Sequence, residues 1–165
     1  MGIVNCVLYI GILGILAYPL GRIISKHDPD PDGFLFRERP WELGGKIYEK
    51  LHIKSWQARV PDVSQVLHRW MPQKKLKVGV TPETVRTMIR ETCTAEAVHN
   101  LLNLAGLWLL GLWDGIGGVV VYLIYVLLGN LPFILVQRYN RPRLKALLNH
   151  LEMKEVEREN TRNKK

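Results

Sequence analysis

The chain has 165 residues, 47% of them hydrophobic, and a formal net charge of +8. That length suits one domain, with at most a small appendage. The two cysteines, Cys6 and Cys93, fall in segments of opposite character, which excludes a secreted cystine framework and a zinc motif and leaves two free thiols.

Charge is spread very unevenly. The first 24 residues carry one charged side chain, Arg22, and residues 97–137 carry one, Asp114. Two nearly charge-free blocks on this scale exclude an ordinary water-soluble protein. The pattern predicts an all-α integral membrane fold with about three transmembrane helices and interfacial amphipathic helices in a cytoplasmic middle segment.

Residues 2–24 are long enough to cross a hydrocarbon core of roughly 30 Å as a helix. No basic stretch precedes them and no small-x-small cleavage site follows, so a retained helix is expected rather than a signal peptide. Gly11, Gly14 and Ala17 recur every third residue and make a narrow face that another helix could approach closely. Pro19 is expected to bend the last turn.

Residues 25–82 form the middle segment. The run HDPDPDG, His27 to Gly33, alternates prolines and aspartates in a way that precludes a helix, and it lacks the spacing of an EF-hand. Phe34, Leu35 and Phe36 follow. From Trp41 to Ile53 the alternation of Ile47, Tyr48 and Leu51 with charges predicts an interfacial helix, weakened at Gly44 and Gly45, whose lysines reach anionic head groups. Trp56 extends the aromatic series. Val63 to Lys77 reads as a second amphipathic stretch with Trp70 and Met71 on its apolar side. Between Ser25 and Glu96, 10 acidic residues accompany 13 basic ones, a poor pattern for binding nucleic acid.

Thr81-Pro82-Glu83-Thr84 is a helix start: a capping threonine, proline at the first helical position and an acid in the first turn. The helix is expected over 83–113, entering the membrane near Ala97, with Trp108 and Trp113 at the far interface. Trp113-Asp114-Gly115 is a tight turn, so residues 116–137 return as the second arm of a helical hairpin. Residues 138–165 are a basic tail. Arg22 and Lys26 flank the first helix and Arg141, Arg143 and Lys145 the last. The positive-inside rule then puts the N-terminus outside and the middle segment and tail in the cytoplasm of a multi-pass protein of the cell membrane.

Two polar clusters fall at the membrane edge. Thr92, Glu96, His99 and Asn103 share one helical face, with Glu91 and Asn100 nearby. Ionisable groups at this depth are expensive and usually face a cavity or a partner. Glu96 and His99, three residues apart, could share a proton, the arrangement by which a histidine activates a hydroxyl. The second cluster is Asn130, Pro132, Gln137, Arg138, Tyr139, Asn140, Arg141 and Arg143. Its guanidinium groups suit a phosphate, a carboxylate or a developing oxyanion. No Gly-x-Ser-x-Gly elbow is present, and Ser25, Ser55 and Ser64 have no evident partners, so direct transfer is favoured over a covalent intermediate. Two alternatives stay open. One is a metal-dependent membrane hydrolase or transferase that uses Glu91, Glu96 and His99, with His52 as a further ligand. The other is a lipid-binding membrane subunit without catalysis.

The stretches WELGGKIYEKLHIKSWQARVPD, ETCTAEAVHN and NLPFILVQRYNRPRL resemble the glycosyl-4,4'-diaponeurosporenoate acyltransferase family of small bacterial membrane proteins. The likeness runs from Phe34 to Leu144, and QRYNRPRL is its most specific piece. Matching polar positions include Trp41, Gly45, Lys46, Tyr48, Trp56 and Pro61, then Glu91, Glu96 and His99, then Asn130, Pro132, Gln137, Arg138, Asn140 and Arg143. The resemblance implies esterification of a sugar hydroxyl on a glycosylated carotenoid-like lipid, with acyl-CoA or acyl carrier protein as co-substrate and no resident cofactor or metal. On that reading His99, oriented by Glu96, is the base and Arg138 the third catalytic residue. Glu91, Asn103, Trp41, Lys46, Tyr48, Trp56, Asn130, Gln137, Asn140, Arg141 and Arg143 bind substrate. Membrane lipid, the glycolipid acceptor and the acyl donor are the expected partners, and self-association would help three helices enclose a site.

Overall fold

The structure is a computed structural model that describes residues 2–57 and 81–163. The stretch expected at Val63–Lys77, and Pro61, lie outside the described residues. Among the described residues every regular element is helical. In chain order they are α1 (Gly2–Lys26), the 3-10 turns Pro40–Glu42 and Lys46–Glu49, α2 (Ile53–Trp56), α3 (Pro82–Gly106), α4 (Leu109–Leu112), α5 (Ile116–Ile124), a π-turn (Tyr125–Asn130) and α6 (Leu131–Arg162). Contacts divide the chain into two compact units, the first of residues 2–37 and 90–138, the second of the remainder.

In the first unit α1 runs through Pro19 to Lys26 and packs on α3. Tyr9, Leu13, Ala17, Leu20 and Ile24, spaced by three and four residues, meet Val98, Leu102 and Ala105. The Tyr9 hydroxyl donates to the Ala105 carbonyl at 2.9 Å. The seam therefore uses Ala17 but not the rest of the expected small-residue face. A Cβ placed on Gly11 or Gly14 would meet nothing within 4 Å. Leucine and isoleucine bury more apolar area than glycine, and that decides which face packs.

The expected single helix over 83–113 is interrupted. α3 stops at Gly106, where a weak helix former lies against the Tyr125 ring, and α4 resumes at Leu109. The hairpin turn falls at Trp113–Gly115 as the sequence predicts, with Gly115 at φ 76°. Gly117 and Gly118 let α5 press against the turn. A Cβ on Gly118 would run into the backbone carbonyl oxygens of Trp113 and Leu109. Gly118→Val should therefore destabilise the hairpin by about 1–3 kcal/mol or more, since backbone yields less readily than a side chain. The loss is read as a lower unfolding temperature in detergent, with Gly11→Val as the neutral control.

Two stretches, Gly2–Lys26 and Ile116–Arg162, are long and apolar enough to cross a membrane. Only 11% and 6% of their apolar windows are buried, the reverse of a helix in a soluble core. Ile15, Ile116 and Leu128 are each more than 70% exposed, a surface that suits a lipid surround.

In the second unit α3 begins as predicted. The Thr81 hydroxyl accepts the Thr84 backbone N–H at 3.3 Å. A hydrogen bond from its own backbone N–H, with help from the Thr81 hydroxyl and from Arg86, holds the exposed Glu83 carboxyl below the usual carboxylate range. Arg86 reaches Glu152 of α6 at 2.6 Å. The interfacial helix expected from Trp41 to Ile53 is instead three short turns. Leu43, Gly44 and Gly45 all have left-handed backbone, at φ 50°, 69° and 79°, and His52 repeats this at φ 51°. Successive left-handed residues cannot continue a right-handed helix. α6 carries on through Pro142 to Arg162, so the QRYNRPR run lies within a helix of 32 residues rather than at its end.

Candidate active site

In the first unit two polar side chains of α3, Glu96 and His99, find partners on the returning arm of the hairpin. Glu96, 1% exposed, receives the Arg138 Nε–H at 2.7 Å, and Arg138 Nη2 lies 2.7 Å from the same carboxylate oxygen. Nη2 also donates to the Leu35 carbonyl at 2.9 Å. This one guanidinium thereby ties the segment after HDPDPDG to the helix pair. A buried charge of this kind is tolerated only with an opposite charge and good hydrogen bonds. A second tie, Arg90 to Asp28 at 3.0 Å, holds the start of the HDPDPDG run itself.

His99, one turn beyond Glu96, turns to Asn130. Its Nδ1 lies 2.8 Å from Asn130 Oδ1, and the Asn130 amide donates to the Tyr125 carbonyl at 3.2 Å. Phe133 stacks on the imidazole with centroids 4.5 Å apart and planes 14° from parallel. The partnership of Glu96 with His99 expected from their spacing is thus replaced by two pairings between α3 and the returning arm. Across a hairpin, side chains on facing helices meet more directly than neighbours three apart on one helix surface. Asn130 itself is 2% exposed and ends the π-turn, in which backbone bonds reach five residues back, as from the Leu131 N–H to the Val126 carbonyl.

Asn103 lies one turn further on, and its buried Oδ1 has no hydrogen-bond partner among the described residues. Glu91 is exposed and Gln137 half-buried. No group of three His, Cys, Asp or Glu side chains is placed to hold a metal ion among the described residues. Cys6 and Cys93 form no disulfide, and both are fully buried.

The second unit holds Trp41, Lys46, Tyr48 and Trp56 with Asn140, Arg141 and Arg143. The Glu42 carboxylate, 2% exposed, accepts from the Tyr48 hydroxyl and the Arg39 backbone N–H. Trp41 stands edge-on to Tyr48 with centroids 6.4 Å apart and is itself 58% exposed. Gly45 is needed twice over. Its φ of 79° suits glycine, and a Cβ there would lie 3.1 Å from Arg143 Nη1. Arg143 is committed to Glu49 at 2.6 Å, to the Tyr139 carbonyl and, at 3.6 Å, to the Tyr139 ring. Arg141 is 4% exposed. Lys46 is exposed and Asn140 half-buried, and Trp56 donates its Nε1–H to the Leu51 carbonyl at 2.9 Å. The arginines expected to act as one anion-binding group are therefore individually engaged, Arg138 by a buried carboxylate and Arg143 by an exposed one. The tie of Arg138 to Leu35 and the stacking of Phe133 on His99 carry no short-range sequence signal.

Comparison with known proteins identifies the family of the chain. The profile of the glycosyl-4,4'-diaponeurosporenoate acyltransferase family matches residues 32–150. A protein of that name from Staphylococcus aureus strain Newman is 28% identical over 132 residues, covering 73% of this chain and 72% of its own. The counterpart in strain USA300 is 28% identical over 130 residues, 72% and 70% of the two chains, and that in strain N315 is 29% identical over the same shares. No solved structure matches the chain.

Proposed function

The chain belongs to the glycosyl-4,4'-diaponeurosporenoate acyltransferase family and is an acyltransferase; on that premise we propose that it esterifies a hydroxyl of a glycosylated, lipid-soluble acceptor from within the cell membrane. Of the geometry, the observation that carries this is His99 on α3, an imidazole with one ring nitrogen engaged and one face covered. An imidazole so held can take a proton from an alcohol.

The donor in this reading is an acyl thioester, on acyl-CoA or acyl carrier protein. His99 removes the proton from the acceptor hydroxyl as its oxygen attacks the thioester carbonyl. A carbon–oxygen bond forms and the carbonyl oxygen becomes an oxyanion. Its collapse breaks the carbon–sulfur bond, and the departing thiolate takes the proton back from the imidazolium. Every proton and electron pair is accounted for without a metal or a redox partner. Arg138, its guanidinium oriented by Glu96, supplies positive charge toward the donor or the oxyanion. Trp41, 58% exposed, presents an aromatic surface of a kind that suits a lipid-like molecule. Three crossings, the hairpin supplying the second and third, with the N-terminus outside and the basic tail in the cytoplasm, satisfy the placement of charge.

The test uses the full-length protein purified in detergent, an acyl thioester and the glycosyl-4,4'-diaponeurosporenoate of the relatives' name. Free thiol should appear in step with an acylated acceptor, one ester per thiol. Thiol release that does not depend on the acceptor, or none across a series of chain lengths and both carriers, would overturn the reading.

A further inference from the structure

The hydrogen bonds around Asn130 fix more than the position of a ring. A carbonyl oxygen only accepts, so the Tyr125 carbonyl, 3.2 Å from Asn130 Nδ2, sets which end of the amide faces it. The opposite end, Oδ1, then faces His99 Nδ1 at 2.8 Å. An amide oxygen is also only an acceptor, so Nδ1 is the ring nitrogen that carries the proton. In a neutral imidazole the other nitrogen, Nε2, then holds the lone pair.

We propose that Asn130 is a positioning residue that, anchored through the π-turn to the Tyr125 carbonyl, holds His99 in the Nδ1–H tautomer and leaves Nε2 as the nitrogen that takes the acceptor's proton. This rests on the proposed role of His99 as base. The role differs from the substrate contact that the sequence suggests for Asn130, because both ends of its amide are occupied within the protein. The π-turn has a part in this. Its wider spacing brings a side chain at position 130 to a carbonyl five residues back, a reach that a regular helical turn does not offer. Phe133 adds to the restraint by stacking on the ring and fixing its plane, and a flip within that plane would break the hydrogen bond to Asn130.

The test is nitrogen NMR on full-length protein in detergent, with its five histidines labelled with 15N in the ring. His99 is identified by the signals lost in His99→Gln. In the unsubstituted protein Nδ1 should show a bonded proton and Nε2 the signature of a bare ring nitrogen. That spectrum alone is decisive, since the opposite assignment, or a mixture of both tautomers, overturns the proposal whatever any variant does. Asn130→Ala should lose the single-tautomer pattern and lower turnover by about tenfold or more at unchanged KM for the thioester. Asn130→Asp still offers an oxygen to Nδ1 but has no N–H for the Tyr125 carbonyl, so it should keep a proton on Nδ1 while recovering only part of the turnover. An unchanged His99 spectrum in Asn130→Ala also overturns the proposal. If instead the tautomer responds as expected while His99→Gln transfers acyl groups normally, Asn130 keeps its hold on the ring and the base assignment itself has failed.

Discussion

His99→Gln is expected to lower the rate constant for acyl transfer by about 10²–10⁴-fold, the usual worth of a positioned general base. The glutamine amide keeps a polar group of similar reach beside Asn130 Oδ1, so the helix pair should stay together and the unfolding temperature change little. The thioester KM should hold, because the proposed role concerns the acceptor's proton and not the donor. A single-turnover assay with preformed donor complex reads the chemical step directly. A rate within a factor of about three of the unsubstituted protein would exclude His99 as base.

Arg138→Met should be the most destabilising single change in the first unit. It leaves the Glu96 carboxylate, 1% exposed, without its guanidinium, and releases the Leu35 carbonyl as well. Removing one partner of a buried ion pair costs about 3–5 kcal/mol, because the charge that remains has lost both water and its counter-charge. The double replacement Glu96→Gln with Arg138→Met should recover most of that loss, since no full charge is then left buried. The contrast is Arg86→Ala. That arginine pairs with Glu152 at the same 2.6–2.7 Å separation but with side chains 46% and 40% exposed, and its loss should cost about 0–1 kcal/mol. Thermal unfolding in one detergent ranks all three. A cost for Arg138→Met no larger than that for Arg86→Ala would mean that Glu96 does not depend on it.

Much of the fold could be read from local signals. Thr81-Pro82-Glu83 announces the start of α3, because capping depends on residues within one turn. The alternating prolines and aspartates after His27 announce turns, and the charge gaps announce the apolar helices. Trp41 to Ile53 misled because its hydrophobic spacing fits a helix, while the left-handed backbone at Leu43 and His52 leaves no compositional mark; only Gly44 and Gly45 hinted at it. The site was legible as a list of residue types rather than as pairs. Glu96 with His99 is the obvious pairing at i, i+3, yet the hairpin offered another. A turn centred on Asp114 brings residue 99 opposite residue 129, one short of the Asn130 that it meets. The break after Gly106 and the π-turn displace the register from simple symmetry, and neither is visible as a pattern of apolar residues. Arg141 and Arg143 read as a basic flank because burial and commitment to Glu49 are tertiary facts.

The two pairings between α3 and the returning arm bear on how relatives of this chain diverge. Positions 96 and 138 form one unit of inheritance, since a lineage that replaces either charge alone carries an unstable intermediate. On the proposed mechanism, positions 99 and 130 form another, bound by catalysis rather than by folding. Drift can therefore uncouple them. On the same mechanism, a descendant that keeps the glutamate and arginine but has lost the histidine and asparagine together would retain the scaffold and give up the chemistry, and those four positions would sort such lineages from working enzymes.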